Sequence, residues 1–179
     1  MEFSRRSFLA GASASAFTIV RPELVRGAGD EKLKVGIIGC GGRGTQAGED
    51  TLVGNPNVEI IAMADIFEDR LEKSLKPLRT GRRTAQLADR VKVDAEHRFT
   101  GFDGYKKVLA TEADYVILAT PPGYRPEHFE AAVAAKKHIF CEKPFGTDAV
   151  GVRRFMAAAK KSEELKLCVK SGAQRRSQR

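Results

Sequence analysis

Lys34-Val35-Gly36-Ile37-Ile38 runs directly into Gly39-Cys40-Gly41-Gly42-Arg43-Gly44, and a second apolar run over 58–64 ends on Asp65. The first stretch is a short buried strand, the glycines have G-x-G-x-x-G spacing, and a helical pattern follows before the second strand. Each part has a physical task. Gly39 permits a tight turn, Gly41 lets the backbone come close to a ligand, and Gly44 lets the helix pack closely on the strand. The free N–H groups and the dipole at the helix start attract phosphate, so Cys40, Gly42 and Arg43 belong to the same anion-binding loop. Asp65 lies 21 residues past Gly44, where a carboxylate accepts hydrogen bonds from the ribose hydroxyls of a dinucleotide. Glycine turns alone are common between strands and helices. With both strands and the acid in register, this one is expected to bind a dinucleotide.

The same alternation continues along the chain. Strands are expected at 35–38, 58–64, 98–102, 114–119, 138–141 and 167–169, and helices at 45–53, 68–78, 105–110, 126–136 and 147–161. The polar stretch 79–96 is expected to be a long excursion with one helical turn. Near-continuous apolar strands separated by helices indicate a parallel sheet covered on both faces. Right-handed crossovers then give an α/β, doubly wound (Rossmann) arrangement of strand order 3-2-1-4-5-6. Its ligands belong at the carboxyl edge, where the first and fourth strands diverge.

The ends read differently from the body. Ser4-Arg5-Arg6-Ser7-Phe8-Leu9 and the Ala/Ser-rich stretch after it form a twin-arginine pattern. Residues 1–30 are therefore expected to be a signal and linker, exporting the protein to the periplasm or another extracytoplasmic space by the twin-arginine machinery. The apolar part is too short for a stable membrane span. Residues 31–172 are the expected dinucleotide-binding domain and 173–179 a basic tail. The net charge of +8 sits at the ends: 1–28 hold four Arg and two Glu, 166–179 hold five basic residues and no acid, and 29–165 hold 22 basic and 21 acidic residues. A nearly neutral body without a basic stripe argues against nucleic acid as the partner. Cys40, Cys141 and Cys168 lack metal-ligand spacing, so no metal site is expected and all three are read as buried, inert thiols.

At the carboxyl edge, Thr120-Pro121-Pro122 follows the fourth strand and Glu142-Lys143-Pro144 the fifth. The first is either a rigid wall beside the nicotinamide-proximal part of the nucleotide or a strand ended by proline. Neighbouring Glu142 and Lys143 point to opposite sides of the strand end. One can support the surrounding structure while the other enters the cleft. A lysine beside a cofactor can act as acid or base, or hydrogen-bond a substrate hydroxyl, and a surface ion pair is the plainer alternative. His128 falls in the first turn of a helix, where the dipole disfavours its protonated form. It is either a structural helix-start residue, the favoured reading, or a neutral imidazole packed near the cofactor. His97 and His138 read as structural. Asp65 repels a 2′-phosphate, which favours NAD, while Arg43 and Arg70 would soften that repulsion and keep NADP open.

Lys34 to Gly44, Asp65, Ala119-Thr120-Pro121-Pro122, His128 and Lys137-His138-Ile139-Phe140-Cys141-Glu142-Lys143-Pro144 together resemble the Gfo/Idh/MocA family, the relatives of glucose–fructose oxidoreductase and inositol dehydrogenase. Gln174-Arg175-Arg176 resembles a stretch after the sixth strand in many exported members. The resemblance implies an N-terminal NAD(P)-binding domain and hydride transfer at a sugar or cyclitol hydroxyl carbon, with Lys143 as the catalytic residue. It also implies a C-terminal α/β domain that carries the substrate and builds an oligomer. The chain ends at Arg179, so the expectation is a sequence without that domain, whether a gene fragment, a partial sequence or a short protein. An NAD-dependent glycosidase of the same family and a non-catalytic dinucleotide-binding module are the alternatives.

Overall fold

Six segments, the four central ones apolar, pair in parallel, and each crossover carries a helix, one of them followed by a polar excursion. A computed structural model describes residues 32–173; the twin-arginine segment and the basic tail lie outside the described residues. The elements are β1 (Leu33–Ile38), α1 (Gly42–Gly54), β2 (Val58–Asp65), α2 (Glu68–Thr80), a 3-10 helix (Ala85–Arg90), β3 (Arg98–Thr100), α3 (Gly104–Ala110), β4 (Tyr115–Leu118), α4 (Arg125–Ala134), β5 (His138–Cys141), α5 (Ala149–Glu164) and β6 (Val169–Ser171). The sheet order is β3-β2-β1-β4-β5-β6, all pairs parallel, as the pattern of the sequence predicts.

Side-chain alternation divides the core in two. Val35, Ile37, Ile60, Met63 and Ile117 face α1 and α2, meeting Leu52, Leu71, Leu75 and Leu78. Ile38, Ala64, Val116, Leu118 and Ile139 face the other layer, meeting Val108, Phe129 and Phe155. On that side the Phe129 and Phe155 rings of α4 and α5 stack at 4.0 Å. Both faces are covered over the four central strands, which explains why these read as apolar runs. The one register irregularity lies opposite Val35/Gly36, where Ile60 and Ala62 take successive partners and Ile61 bulges out.

The excursion at 79–96 has a structural purpose that its weak periodicity hides. Arg90 is buried, and its guanidinium donates to the carbonyls of Leu52 (2.6 Å), Asn55 (2.7 Å) and Pro56 (3.1 Å). These lie at the C-terminal end of α1, whose last turn holds no basic residue of its own. A cation there satisfies orphan carbonyls and opposes the negative end of the helix dipole.

Two expectations need correction. The last strand begins at Val169 rather than 167. Lys166 adopts a left-handed conformation (φ 55°), the N–H of Leu167 closes the helix end on the Ser162 carbonyl, and the N–H of Cys168 donates to His138 Nδ1. Those residues cap α5 before pairing can start. Cys168 is consequently exposed, whereas Cys40 and Cys141 are buried. Leu165 and Leu167 beside it pack against the margin of the core, but Cys168 itself falls between a helix cap and a sheet edge.

Candidate functional site

The strand tips of β1, β2, β4 and β5 open into one cavity of about 690 Å³, within the usual range of small-molecule sites. The glycine turn forms its floor. Gly39 has φ +95°, and a Cβ there would meet the Thr120 nitrogen at 2.7 Å. Gly44 is tighter still, with a Cβ reaching the Gly39 carbonyl oxygen at 1.8 Å. At Gly41 and Gly42 a Cβ would meet nothing within 4 Å, so their freedom serves what enters the cavity. The N-terminus of α1 has no side-chain cap and no acid in its first turn. Its free amides and dipole therefore face the cleft unneutralised.

Asp65 holds this turn in place. One carboxylate oxygen accepts the Cys40 N–H at 2.7 Å and the other the Phe67 N–H at 3.1 Å. Each oxygen keeps a lone pair for a further donor. The Cys40 amide is thereby committed to Asp65, and its thiol donates to the Ala64 carbonyl at 3.3 Å. Burial, followed by the nearby Asp65 charge, raises that thiol's pKa. Cys40 thus builds the turn from beneath and offers no amide to a ligand. Arg70 lies over the Phe67 ring at 5.1 Å beside this end of the cavity. Arg43 turns away from it, pairing with Glu142 and donating to Gln46 at 2.7 Å.

The other wall comes from β4 and β5. Ala119, Thr120 and Pro121 line the cavity, whereas Pro122 lies in the following turn and is not part of the lining. Glu142 is buried and Lys143 is exposed along the cavity. The structure also brings in Arg125, which sequence reasoning missed. Its guanidinium is buried and donates to the Thr120 and Pro144 carbonyls, tying the tip of β4 to the segment after Lys143. An arginine beside Pro126 at a helix start looks like an ordinary solvated residue, so nothing local announces that role. Tyr105, Tyr124, Phe67 and Phe102 complete an aromatic rim that was equally hidden.

His128 sits inside this wall. Its ring stacks on Tyr105 at 4.2 Å, and Nδ1 lies 3.1 Å from the Thr120 hydroxyl. Burial is the main cause that pushes its pKa from 6.5 down to about 4, with Glu127 opposing and Arg125 assisting. The folded chain keeps the imidazole neutral, whereas the unfolded chain takes up a proton below its ordinary value. Stability from this group is therefore complete above pH 6.5 and falls as the pH drops toward 4, by about 3 kcal/mol in all. Urea unfolding across that interval is expected to show the loss in the wild type and a flatter profile in His128→Gln. Identical profiles would exclude His128 as the source.

A dinucleotide fits these residues. Open space lies over Gly41 and Gly42, the α1 amides are free for a diphosphate, and Asp65 can accept ribose hydroxyls. The chain is similar to myo-inositol 2-dehydrogenase of Thermotoga maritima, 24% identical over 131 residues, covering 73% of this chain and 34% of that protein. Its fold is similar to myo-inositol 2-dehydrogenase from Lactobacillus plantarum (TM-score 0.62, 22% identity, 83% of this chain and 38% of that one). It also resembles scyllo-inositol dehydrogenase from Lactobacillus casei with bound NAD(H) and scyllo-inositol (TM-score 0.60, 19% identity, 79% and 36%). The chain thus spans about a third of the length of the curated relatives it matches. Residues 33–170 match the family model described as the oxidoreductase family with an NAD-binding Rossmann fold, and the chain belongs to that family, Gfo/Idh/MocA.

Proposed function

We propose that this chain holds the NAD of an oxidoreductase that moves hydride between the nucleotide and a hydroxyl-bearing carbon of a sugar or polyol. The observation that carries the proposal is the meeting of the glycine turn, Asp65 and Lys143 on one cavity. The amides at the start of α1 would take the diphosphate and Asp65 the adenosine ribose, while Thr120 and Pro121 wall the side nearest Lys143. When bound, the nicotinamide supplies the hydride acceptor. Lys143 would hydrogen-bond the substrate hydroxyl; as a neutral amine it takes the hydroxyl proton as the carbonyl forms, and as an ammonium it returns the proton in the reverse direction. Similarity to inositol dehydrogenases supports a polyol as substrate.

The test has two parts. Titration of the purified chain with NADH, followed by nucleotide fluorescence, is expected to saturate; a linear response at all concentrations would sink the proposal. In the protein as its host produces it, Lys143→Met is expected to lower polyol-dependent NAD reduction by about 100-fold or more. NADH affinity should stay within about threefold, because Lys143 is assigned to the substrate and not the nucleotide. Unchanged turnover would remove Lys143 from the chemistry.

A further inference from the structure

The described lining of the cavity holds four basic and four acidic side chains, so its side chains contribute no net charge. What a diphosphate meets at the glycine turn depends on Arg43 and Glu142. Arg43 is the second residue of α1, and its guanidinium pairs with Glu142 at the tip of β5. In the sheet, β4 lies between β1, which launches α1, and β5. The pair therefore spans the point where the strand order reverses, which is where ligands of this fold bind.

The two partners are not equivalent. The Arg43 side chain is 38% exposed and that of Glu142 only 5%. Glu142 also has little room to withdraw. Its carboxylate packs against Gly172, where a Cβ would lie 2.6 Å from the carboxyl carbon. A buried carboxylate without a counter-charge is strongly unfavourable; among the described basic side chains Arg43 alone forms a direct ion pair with Glu142, while the buried Arg125 guanidinium acts on it through space.

We propose that Arg43 serves the nucleotide site as the counter-charge of Glu142 and not as a phosphate ligand. The pair cancels a fixed negative charge that would otherwise oppose the diphosphate, leaving attraction to the helix amides. This rests on the dinucleotide reading of the cavity. It gives the arginine of the glycine turn and the glutamate before Lys143 a single shared role.

The test is a double-mutant cycle in the full-length chain, reading NADH affinity at low salt, with adenosine as a phosphate-free control and thermal melts alongside. Arg43→Gln is expected to weaken NADH binding about tenfold, and Glu142→Gln to tighten it by a similar factor. The double variant should return to within about threefold of the wild type, and Arg43→Lys should stay in that range. Adenosine affinity should not follow these changes. If the double variant binds as weakly as Arg43→Gln alone, Arg43 contacts the diphosphate directly and the proposal is overturned. A parallel loss of adenosine binding would also overturn it, since charge at the diphosphate would not be the cause. Should Arg43→Gln fail to fold, the expected tightening in Glu142→Gln still decides. A wild type that binds no NADH would instead remove the dinucleotide reading itself.

Discussion

Gly44→Ala is expected to destabilise the folded chain by about 4 kcal/mol or more, lowering Tm by roughly 10 °C or more. Gly41→Ala should melt within about 2 °C of the wild type yet bind NADH at least about 100-fold more weakly. The two residues stand three apart in one turn, and their surroundings differ completely. At Gly44 the added methyl would lie 1.8 Å from the Gly39 carbonyl oxygen and 3.4 Å from the Ala119 Cβ. The obstacle is backbone, so no side-chain rotation relieves it, and α1 must lift from the sheet. At Gly41, φ is −73°, which any residue adopts, and the methyl would meet only open cavity. Thermal melts by circular dichroism and NADH titration separate the two effects. Normal nucleotide affinity in Gly41→Ala would mean that no diphosphate approaches this backbone.

Asp65→Ala should cost both binding and stability: about 100-fold or more in NADH affinity and roughly 2 kcal/mol in folding. The reason is that one carboxylate has two tasks. It faces the cavity, where our proposal assigns it the ribose hydroxyls, and it holds the Cys40 and Phe67 amides that shape the turn. Removing the charge therefore does not simply open the site to a 2′-phosphate, because the turn that receives the diphosphate loosens as well. Asp65→Asn, which keeps one amide oxygen as acceptor, should lie between the two in Tm. NADPH should bind Asp65→Ala less tightly than NADH binds the wild type. Retention of wild-type Tm in Asp65→Ala would show that the two backbone hydrogen bonds contribute little.

The sheet and its order were legible because the four central strands, β2, β1, β4 and β5, are covered on both faces and carry apolar runs, whereas the short edge strands Arg98–Thr100 and Val169–Ser171 are partly exposed and mixed in character. The glycines were legible for a related reason: steric limits on Gly39 and Gly44 are local, set by residues a few positions away or one strand over. Arg90 and Arg125 show where local reasoning stops. Both sit in polar, unpatterned surroundings, and each is buried only because its guanidinium reaches carbonyls that the chain brings close by folding. The paired partner of Arg43 lies 99 residues away, a distance no spacing rule covers. Cys168 illustrates the reverse error: an apolar neighbourhood in sequence became a helix cap in space.

The Arg90 cap changes how the cost of binding is distributed. α1 is secured at its rear by that guanidinium and at its front by the hydrogen bond between Cys40 and Asp65. The helix assigned to the diphosphate is held at both ends by contacts that the chain makes with itself. The entropy of ordering the turn is therefore lost when the chain folds and not when nucleotide enters. The polar excursion at 79–96, none of whose residues lines the cavity, thereby lends folding stability to the preorganisation of the anion site.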